Sequence, residues 1–397
     1  MATIKTVPTI PSRGESLGYV ASSQEKLYDG KNGREIDLGL GNSPIGAARE
    51  LRNLLHQRNP YEDLTRYPKD PFHTETAQII INGIGLEGVK PDAVVFNGNG
   101  SYGAGDELIR YFKSTGINKL YAPSYSFPNV HQWTERHNME YVPVVTEELN
   151  PISAQEQIIQ MKDQDLKDSV VYIDYPNNPF GIASPQLVRN IVNKVEKAGG
   201  IPLVDLAFGE VLGDEYREMI QYVYDHNGAV LGSISKTQGL PSLRCGYAIL
   251  AEKYTNDGFS KDKRLVFGLN HEAETVLQVL YSKSSQDSKT LAQIHAERVS
   301  SYNVETNKRL YEVLQSLGLI VAPTNPETQI QVIISNHPDF YQRLRKQGLI
   351  TESLKDYATT LGNDSVRGYG DSAVRLLTPK SGELDEVIRR IALALQN

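Results

Sequence analysis

Short apolar runs alternate with amphipathic stretches from about residue 93 to residue 250, and this alternation leaves few folds open to the chain. The apolar runs predict strands at residues 93–97, 119–122, 141–144, 169–174, 201–205, 229–233 and 246–250. The stretches between them predict helices at residues 104–115, 127–137, 152–161, 184–198 and 215–225. Strand and helix in turn indicate an α/β fold, with a mostly parallel sheet that is covered on both faces. Polar side chains that follow such strands gather at one edge of the sheet.

The pattern changes after about residue 285. A long helical stretch at 289–317 is followed by short strands near 330–335 and 374–377 and by helices at 338–347 and 383–396. We therefore predict an N-terminal arm or lid at 1–35, a large domain at 36–285 and a smaller C-terminal domain at 286–397. The first part of the large domain is a candidate to pack with the small domain.

Composition restricts the kind of partner. The formal net charge of −7 and the absence of a basic block argue against nucleic acid and favour small-molecule ligands. The N-terminus lacks the apolar core of a signal peptide, and no run of about 18 apolar residues occurs, so we expect a cytoplasmic protein without a membrane partner. Cys245 is the single cysteine, which excludes an intramolecular disulfide and a cysteine cluster for zinc, and we expect no metal.

Residues 233–247 form a loop broken by Gly and Pro around one lysine, Lys236. Ser233 and Ser235 precede this lysine, and Arg244 follows it by eight residues. A lysine becomes a nucleophile when its surroundings stabilise the uncharged amine, and hydroxyls with a guanidinium suit a phosphate dianion. Pyridoxal phosphate is an aldehyde that carries a phosphate, and Lys236 would hold it as a Schiff base. A solvated surface loop is the structural alternative.

A second phosphate-binding candidate is the Gly-rich segment at residues 98–103, a literal G-x-G-x-x-G between a predicted strand and a predicted helix. A dinucleotide site would also need an acidic residue at the end of the next strand, where the chain reads Leu120-Tyr-Ala-Pro123. The nicotinamide interpretation is therefore disfavoured. The backbone amides of Ser101, Tyr102 and Gly103 at a helix N-terminus can still bind phosphate, unless the glycines serve only a turn.

Two polar residues follow predicted strands. Asn178, in Pro176-Asn-Asn-Pro-x-Gly181, can donate its amide to a phenolate oxygen, although an Asn-Pro turn also explains the motif. Asp205 ends a strand too apolar to suit a lone carboxylate, and a protonated pyridine nitrogen would be a partner for it. A helix N-cap is the structural alternative for Asp205.

Two further residues suit a flat ligand and an acidic substrate. Tyr125 follows a strand and can lay its ring on a heterocycle, although a core position is the commoner role for a tyrosine. Arg375 lies between apolar residues in a short strand, where a charge needs a partner. A substrate carboxylate bound bidentately would be such a partner, and an internal salt bridge is the alternative.

Taken in order, these motifs resemble the fold-type I pyridoxal-phosphate enzymes, specifically the class I/II aminotransferases, and histidinol-phosphate aminotransferases are nearest in pattern. The resemblance covers nearly the whole chain from Ile36. The motifs that carry it are Asn99-Gly-Ser101, Pro123-x-Tyr125, Pro176-Asn-Asn-Pro-x-Gly181, Asp205-x-Ala-Phe208, Ser233-x-Ser-Lys-x-x-Gly-Leu-Pro-x-Leu-Arg-x-Gly-Tyr247 and Arg375.

The resemblance implies an aspartate-aminotransferase-like fold with a seven-stranded mixed sheet, in which the strand at 246–250 runs backwards. It also implies a homodimer with pyridoxal phosphate between the large and small domains. Lys236 would bind the aldehyde, Asp205 the pyridine nitrogen and Asn178 the ring oxygen, while Tyr125 would stack on the ring. The implied phosphate ligands are Ser101, Tyr102, Ser233, Ser235, Arg244 and Tyr67 of the partner subunit. Arg375 and Asn42 would lie near the substrate carboxylate.

The chain departs from the family pattern at three places. Phe208 stands where many members have a tyrosine whose hydroxyl supports the ring oxygen, and Phe180 replaces a usual threonine. Tyr102-Gly103 replaces an acidic pair. These changes alter the wall of the pocket and leave the lysine, aspartate and arginine in place.

The resemblance implies an aminotransferase that acts on a free amino acid through a carbanion at its α-carbon. One alternative is a cyclase or dehydratase similar to capreomycidine synthase, acting on a hydroxylated arginine, and another is an arginine oxidase of the same fold. Both would need acidic groups for a guanidinium, and Glu15 in the N-terminal arm is a candidate. A non-catalytic binding protein is disfavoured because the lysine, aspartate and arginine are all present.

Overall fold

The computed structural model describes residues 33–41, 43–57, 70–145, 151–256, 259, 266–283, 288–357 and 369–396. In the first half of the chain the elements are β1 (Ile36–Asp37), α1 (Arg49–Gln57), α2 (Thr74–Ile84), β2 (Val94–Asn97), α3 (Gly100–Ser114), β3 (Lys119–Pro123), α4 (Asn129–Arg136), β4 (Glu140–Val144), α5 (Pro151–Gln160), α6 (Asp163–Leu166), β5 (Ser169–Asp174) and α7 (Pro185–Lys197).

The second half of the chain adds strands β6 to β13 and helices α8 to α13. They are β6 (Ile201–Asp205), α8 (Asp214–Asp225), β7 (Ala229–Ser233), β8 (Gly246–Leu250), α9 (Glu252–Asn256), α10 (His271–Tyr281), α11 (Leu291–Ser316), β9 (Ile320–Val321), β10 (Ile330–Ile334), α12 (Phe340–Lys346), β11 (Leu349–Ile350), β12 (Glu352–Ser353), β13 (Ala373–Leu377) and α13 (Leu384–Gln396).

A seven-stranded sheet forms in the order β2-β8-β7-β6-β5-β3-β4. Strand β8 is antiparallel to both of its neighbours, and the pairs among β3 to β7 are parallel. The mixed α/β sheet and the reversed strand at 246–250 are therefore confirmed. Strand β5 ends at Asp174 and β6 ends at Asp205, and the two aspartates are register partners, so their carboxyl groups emerge at the same edge.

The large sheet is buried on both faces. Val171 and Ile173 of β5 belong to one apolar cluster, which also contains residues of α2, α5, α7, α8 and α10. Val170 and Tyr172 of the same strand belong to a second cluster with α3 and α4. This alternation follows from the two-residue period of a strand, and it explains why the sheet strands read as continuous apolar runs.

A smaller antiparallel sheet has the order β12-β13-β10-β9, and β1 pairs in parallel with β11. The long helix α11 begins one residue after Thr290, which forms a capping box with Gln293. Ile36 and Leu38 pack in one cluster with α11, α12 and α13, so the start of the described chain contacts the C-terminal part. The division of the chain at residues 35 and 285 stays a prediction, and residues 1–32 of the predicted arm at 1–35 lie outside the described residues.

Within the described ranges, no helix has both the length and the apolar character that crossing a lipid bilayer requires.

Candidate active site

Polar side chains from several elements meet beyond the carboxyl ends of β5, β6 and β7. Asp174, Asp205 and Ser233 are the last residues of these strands, and Lys236 follows β7 by three residues. The strands β5 and β6 pair side by side, as do β6 and β7. The edge that the sequence predicted as the site therefore holds the lysine and two carboxyl groups.

The Lys236 amine lies against the segment at residues 39–41. Its Nζ donates a hydrogen bond to the Leu40 carbonyl oxygen at 3.1 Å and lies 5.2 Å from the centre of the Phe208 ring. Gly41 has φ +76°, and a Cβ on this residue would overlap Lys236 Nζ. Both the backbone conformation and the lack of space therefore require glycine at position 41.

Asp205 is buried with its carboxylate close to the lysine. It accepts hydrogen bonds from the Tyr172 hydroxyl at 3.0 Å and from the Ala207 amide at 2.9 Å. Burial raises the pKa of Asp205 above its ordinary value, and these hydrogen bonds and the positive charge of Lys236 act in the opposite direction. A further cation at this position, such as a protonated ring nitrogen, would favour the ionised carboxylate.

Asp174 orders the loop that carries Asn178, a role that the sequence analysis missed. Its carboxylate accepts hydrogen bonds from the Phe127 amide at 2.9 Å, the Asn178 amide at 3.1 Å and Asn177 Nδ2 at 3.1 Å. Burial, followed by the charge of Asp205, raises the pKa of Asp174 to about 8. The available sequence signal was the one that identified Asp205, namely an acidic residue at the end of an apolar strand.

Asn178 and Arg375 are in direct contact. Asn178 Oδ1 accepts a hydrogen bond from Arg375 Nη1 at 2.8 Å, and the Tyr357 hydroxyl lies 3.2 Å from the same oxygen. The Asn178 oxygen therefore faces donors of the protein, and its amide nitrogen is the atom suited to donate to a ligand oxygen.

Arg375 forms the internal ion pair that was the alternative to a substrate carboxylate. Glu352 of β12 is its register partner on β13, and Glu352 Oε2 lies 2.9 Å from Arg375 Nη2. The same Nη2 donates to the Gly39 carbonyl oxygen. The sequence analysis missed Glu352, which lies between the polar residues Thr351 and Ser353, so no apolar run marked it.

Three of the expected phosphate ligands, Ser101, Ser233 and Arg244, come together at the N-terminus of α3. In the described part of the chain, the Asn99 side chain makes no capping bond to this helix, and Arg244 Nη2 donates to the Asn99 carbonyl oxygen at 2.9 Å. Ser233 pairs with Gly246, which is so close to the backbone of Ser101 that a Cβ on it would overlap the Ser101 nitrogen. Helix amides and a guanidinium in this arrangement suit a phosphate dianion.

The remaining predicted ligands have different surroundings. Ser235 is buried, and its amide donates to Ser233 Oγ at 3.2 Å. The Tyr102 side chain points toward α4, because its hydroxyl donates to Gln132 Oε1 at 3.2 Å and accepts from Arg136. The Tyr102 side chain is therefore directed away from the proposed phosphate site, and the backbone amide of Tyr102 is the group that can contribute to it.

Tyr125 is completely buried between two aromatic rings. Its ring centre lies 5.7 Å from that of Phe180 and 5.6 Å from that of Tyr369, and its hydroxyl accepts a hydrogen bond from the Tyr369 amide at 3.0 Å. Burial raises the pKa of Tyr125 to about 12. The predicted contact with a heterocycle stays a prediction, as do the roles of Glu15, Asn42 and Tyr67, which lie outside the described residues.

A cavity of about 740 Å³ lies beside this site and is lined by Glu210 and Tyr281 rather than by Lys236. Glu210 is buried and accepts hydrogen bonds from the Tyr281 hydroxyl and from Gln238 Nε2. Burial raises the pKa of Glu210 to about 7. Because Gln238 follows Lys236 by two residues, its hydrogen bond to Glu210 anchors the loop that carries the lysine.

The residues present fit pyridoxal phosphate. Lys236 offers an amine for the aldehyde, and Asp205 offers a buried carboxylate for the ring nitrogen. The amides at the start of α3, which the Asn99 side chain does not cap, and the Arg244 guanidinium suit the phosphate. Each of these three groups matches one part of the cofactor, and all of them lie at the same edge of the sheet.

Comparison with known proteins gives the same result. The sequence pattern of the family described as "Aminotransferase class I and II" matches residues 35–391. A histidinol-phosphate aminotransferase of Caldicellulosiruptor saccharolyticus is 25% identical over 318 residues, which are 79% of this chain and 82% of the relative.

Two solved structures show a similar fold. The histidinol-phosphate aminotransferase of Sinorhizobium meliloti, in complex with pyridoxal-5'-phosphate, has a TM-score of 0.70 at 16% identity and covers 92% of each chain. A double mutant of Thermus thermophilus aspartate aminotransferase has a TM-score of 0.72 at 15% identity and covers 99% of this chain and 100% of that chain. The chain belongs to the class I and II aminotransferase family and is a pyridoxal-phosphate-dependent aminotransferase.

Proposed function

We propose that this chain transfers the amino group of a free amino acid to a 2-oxo acid, with Lys236 as the residue that both binds the cofactor and moves the proton. The observation that carries the proposal is that the Lys236 amine and the Asp205 carboxylate lie at the same sheet edge as the Arg244 guanidinium. The family match supports the reaction type.

The protein's contribution follows from the contacts described above. When bound, pyridoxal phosphate supplies an aldehyde that condenses with an amine and a ring that withdraws electrons from the amino acid α-carbon. The Lys236 amine, oriented by the Leu40 carbonyl oxygen, takes the α-proton as a general base. Asp205 would keep the ring nitrogen of the bound cofactor protonated, because a buried carboxylate favours a cationic partner. Arg244 and the start of α3 would hold the phosphate, and Asn178 would donate to a ring oxygen.

We further propose that the protein is a cytoplasmic homodimer, in which Tyr67 of the partner subunit reaches the phosphate. Family membership supports this assembly, because the resemblance implies a site near the subunit interface. The substrate is a separate question. The relatives are named histidinol-phosphate aminotransferases, so histidinol phosphate, an amine with a phosphate ester in place of the carboxylate, is a candidate amino donor besides free amino acids.

Reduction with borohydride tests the role of Lys236. We expect reduction of the cofactor-loaded protein to fix the cofactor on Lys236, and peptide mapping identifies the labelled residue. Lys236→Ala should lose both the label and the spectral change on adding amino acids. Lys197→Ala, which alters an exposed lysine at the end of α7, should retain both. A label on another lysine in the wild-type protein would refute the proposal.

A further inference from the structure

Glu352 and Arg375 form a buried ion pair, so the positive charge of Arg375 is balanced before a substrate binds. The Arg375 side chain is 1% exposed and that of Glu352 is 8% exposed, so the two charges are shielded from water and face each other at 2.9 Å. The Tyr357 hydroxyl adds a hydrogen bond to Glu352 Oε2 at 2.6 Å. A charge pair held in this way is strongly coupled, because little solvent screens it.

The pair lies next to the lysine. Arg375 Nη2 donates to the Gly39 carbonyl oxygen, and Lys236 Nζ donates to the carbonyl oxygen of the following residue, Leu40. The two cationic groups therefore contact adjacent peptide units, whose Cα atoms are about 3.8 Å apart. A substrate bound at Lys236 lies within reach of the ion pair.

Two further carboxyl groups, those of Asp356 and Asp371, lie near Glu352. Asp356 precedes Tyr357 and is half-buried, and Asp371 accepts hydrogen bonds from Ser353 and from Gln342. Burial, followed by the charges of Glu352 and Asp371, raises the pKa of Asp356 to about 7, while Lys355 opposes this effect. Lys355 is exposed, so its charge is more screened by solvent than that of Glu352.

We propose that Glu352 is a specificity-determining residue, which lowers the affinity of the site for amino acids with a second anionic group and favours those with a cationic side chain. Glu352 already balances the charge of Arg375, so the substrate α-carboxylate has to share this guanidinium with it. A side-chain carboxylate or phosphate then gains little from the Arg375 charge, which Glu352 already balances, whereas an ammonium or guanidinium group restores neutrality. The inference rests on the proposed function, and it disfavours amino acids whose side chain carries a carboxylate or a phosphate.

Binding of 2-methyl amino acids tests the inference without requiring turnover. These compounds lack the α-proton, so they bind but cannot complete amino transfer. Calorimetric titration of the cofactor-loaded protein with 2-methylornithine, 2-methylleucine and 2-methylaspartate gives three dissociation constants. We expect 2-methylornithine to bind at least tenfold more tightly than 2-methylaspartate, with 2-methylleucine between them.

Substitution at position 352 tests the cause of this order. In Glu352→Gln we expect the ratio of the two dissociation constants to shift at least tenfold toward 2-methylaspartate. Glu252→Gln, which removes an exposed carboxylate paired with Lys90, should leave the ratio unchanged. The wild-type order stands as a test even if Glu352→Gln fails to fold. Equal or tighter binding of 2-methylaspartate by the wild-type protein would overturn the inference, and so would an unchanged ratio in a folded Glu352→Gln.

The two proposals fail in different ways. If ordinary amino acids yield no 2-oxo acid while the 2-methyl compounds bind in the expected order, the proposed function is wrong and the role of Glu352 stands. If amino transfer occurs and the order is reversed, only the role of Glu352 is wrong.

Discussion

Lys236 and Arg375 hydrogen-bond to the carbonyl oxygens of two consecutive residues, Leu40 and Gly39. These two cations come from the large and the small sheet regions, at the end of β7 and in β13. The segment at 39–41 therefore connects the amine of the site with the guanidinium beside it. A change in this segment should affect both groups at once.

Gly41→Ala should displace the Lys236 amine. Gly41 has φ +76°, and a Cβ there would overlap Lys236 Nζ. We expect at least a 100-fold loss of kcat/KM, because displacing a catalytic group by about 1 Å reduces the rate by about this factor. Gly88→Ala is the matched control, since Gly88 has φ +68° and no described atom lies within 4 Å of its added Cβ. Both variants share the backbone strain, so equal losses of activity would argue against the contact with Lys236.

Asp205→Asn should reduce activity far more than Tyr172→Phe, which removes a hydrogen-bond donor to Asp205. The substitution removes the charge that we expect to keep a ring nitrogen protonated, and we expect kcat to fall by about 100-fold or more. Tyr172→Phe removes the hydroxyl that donates to Asp205 at 3.0 Å and leaves the carboxylate, so its loss should stay within about tenfold. Steady-state kinetics with one amino donor checks both variants. If they lost activity equally, the charge of Asp205 would not be the cause.

The strands of the large sheet could be predicted from the sequence, and the contacts of Arg375 could not. β5, β6, β7 and β8 have the predicted bounds, because each is a short apolar run between polar or glycine-containing loops. Strands β9, β11 and β12 contain two residues each, too few for a two-residue alternation to be visible, and they exist through pairing with neighbours.

The site divides in the same way. Asp205 ends a strand and Lys236 follows another strand by three residues, so local sequence placed them at the sheet edge. Glu352 reaches Arg375 only because β12 and β13 pair in one particular register, across a separation of 23 residues in sequence. The sequence analysis offered an internal salt bridge as an alternative for Arg375 but did not identify the acidic partner, because residue spacing does not determine how two strands pair. Helix α10 was also missed, although Asn270 caps it through a hydrogen bond with the Ala273 amide.

Glu210 should make the folded state less stable as the pH rises. Its pKa is raised from 4.5 to about 7 by burial, so the folded state prefers the protonated carboxyl. The corresponding stabilisation, on the order of 3 kcal/mol at most, is complete below about pH 4.5 and is lost as the pH rises through about 7. Glu210→Gln keeps a neutral polar side chain, so this part of the pH dependence should disappear.

Melting temperatures between pH 4 and pH 8 check the role of Glu210. We expect the melting temperature of Glu210→Gln to rise relative to that of the wild-type protein as the pH rises. This difference in melting temperature should level off above about pH 7. Glu252→Gln, at an exposed ion pair, serves as the control for loss of a carboxylate. A parallel pH dependence in Glu210→Gln and in the wild-type protein would assign the titration to another group.

Omitting the 2-oxo acid acceptor should stop the reaction after one half-reaction. An aminotransferase retains the nitrogen of the first amino acid, so each active site should release one equivalent of 2-oxo acid and then stall until an acceptor is added. A cyclase or dehydratase acting on a hydroxylated arginine would instead turn over continuously without an acceptor, and an oxidase would consume oxygen. Quantifying 2-oxo acid per site, with oxygen uptake recorded in the same vessel, separates the three. We expect a stoichiometry near one with no oxygen uptake, and sustained turnover would contradict amino transfer.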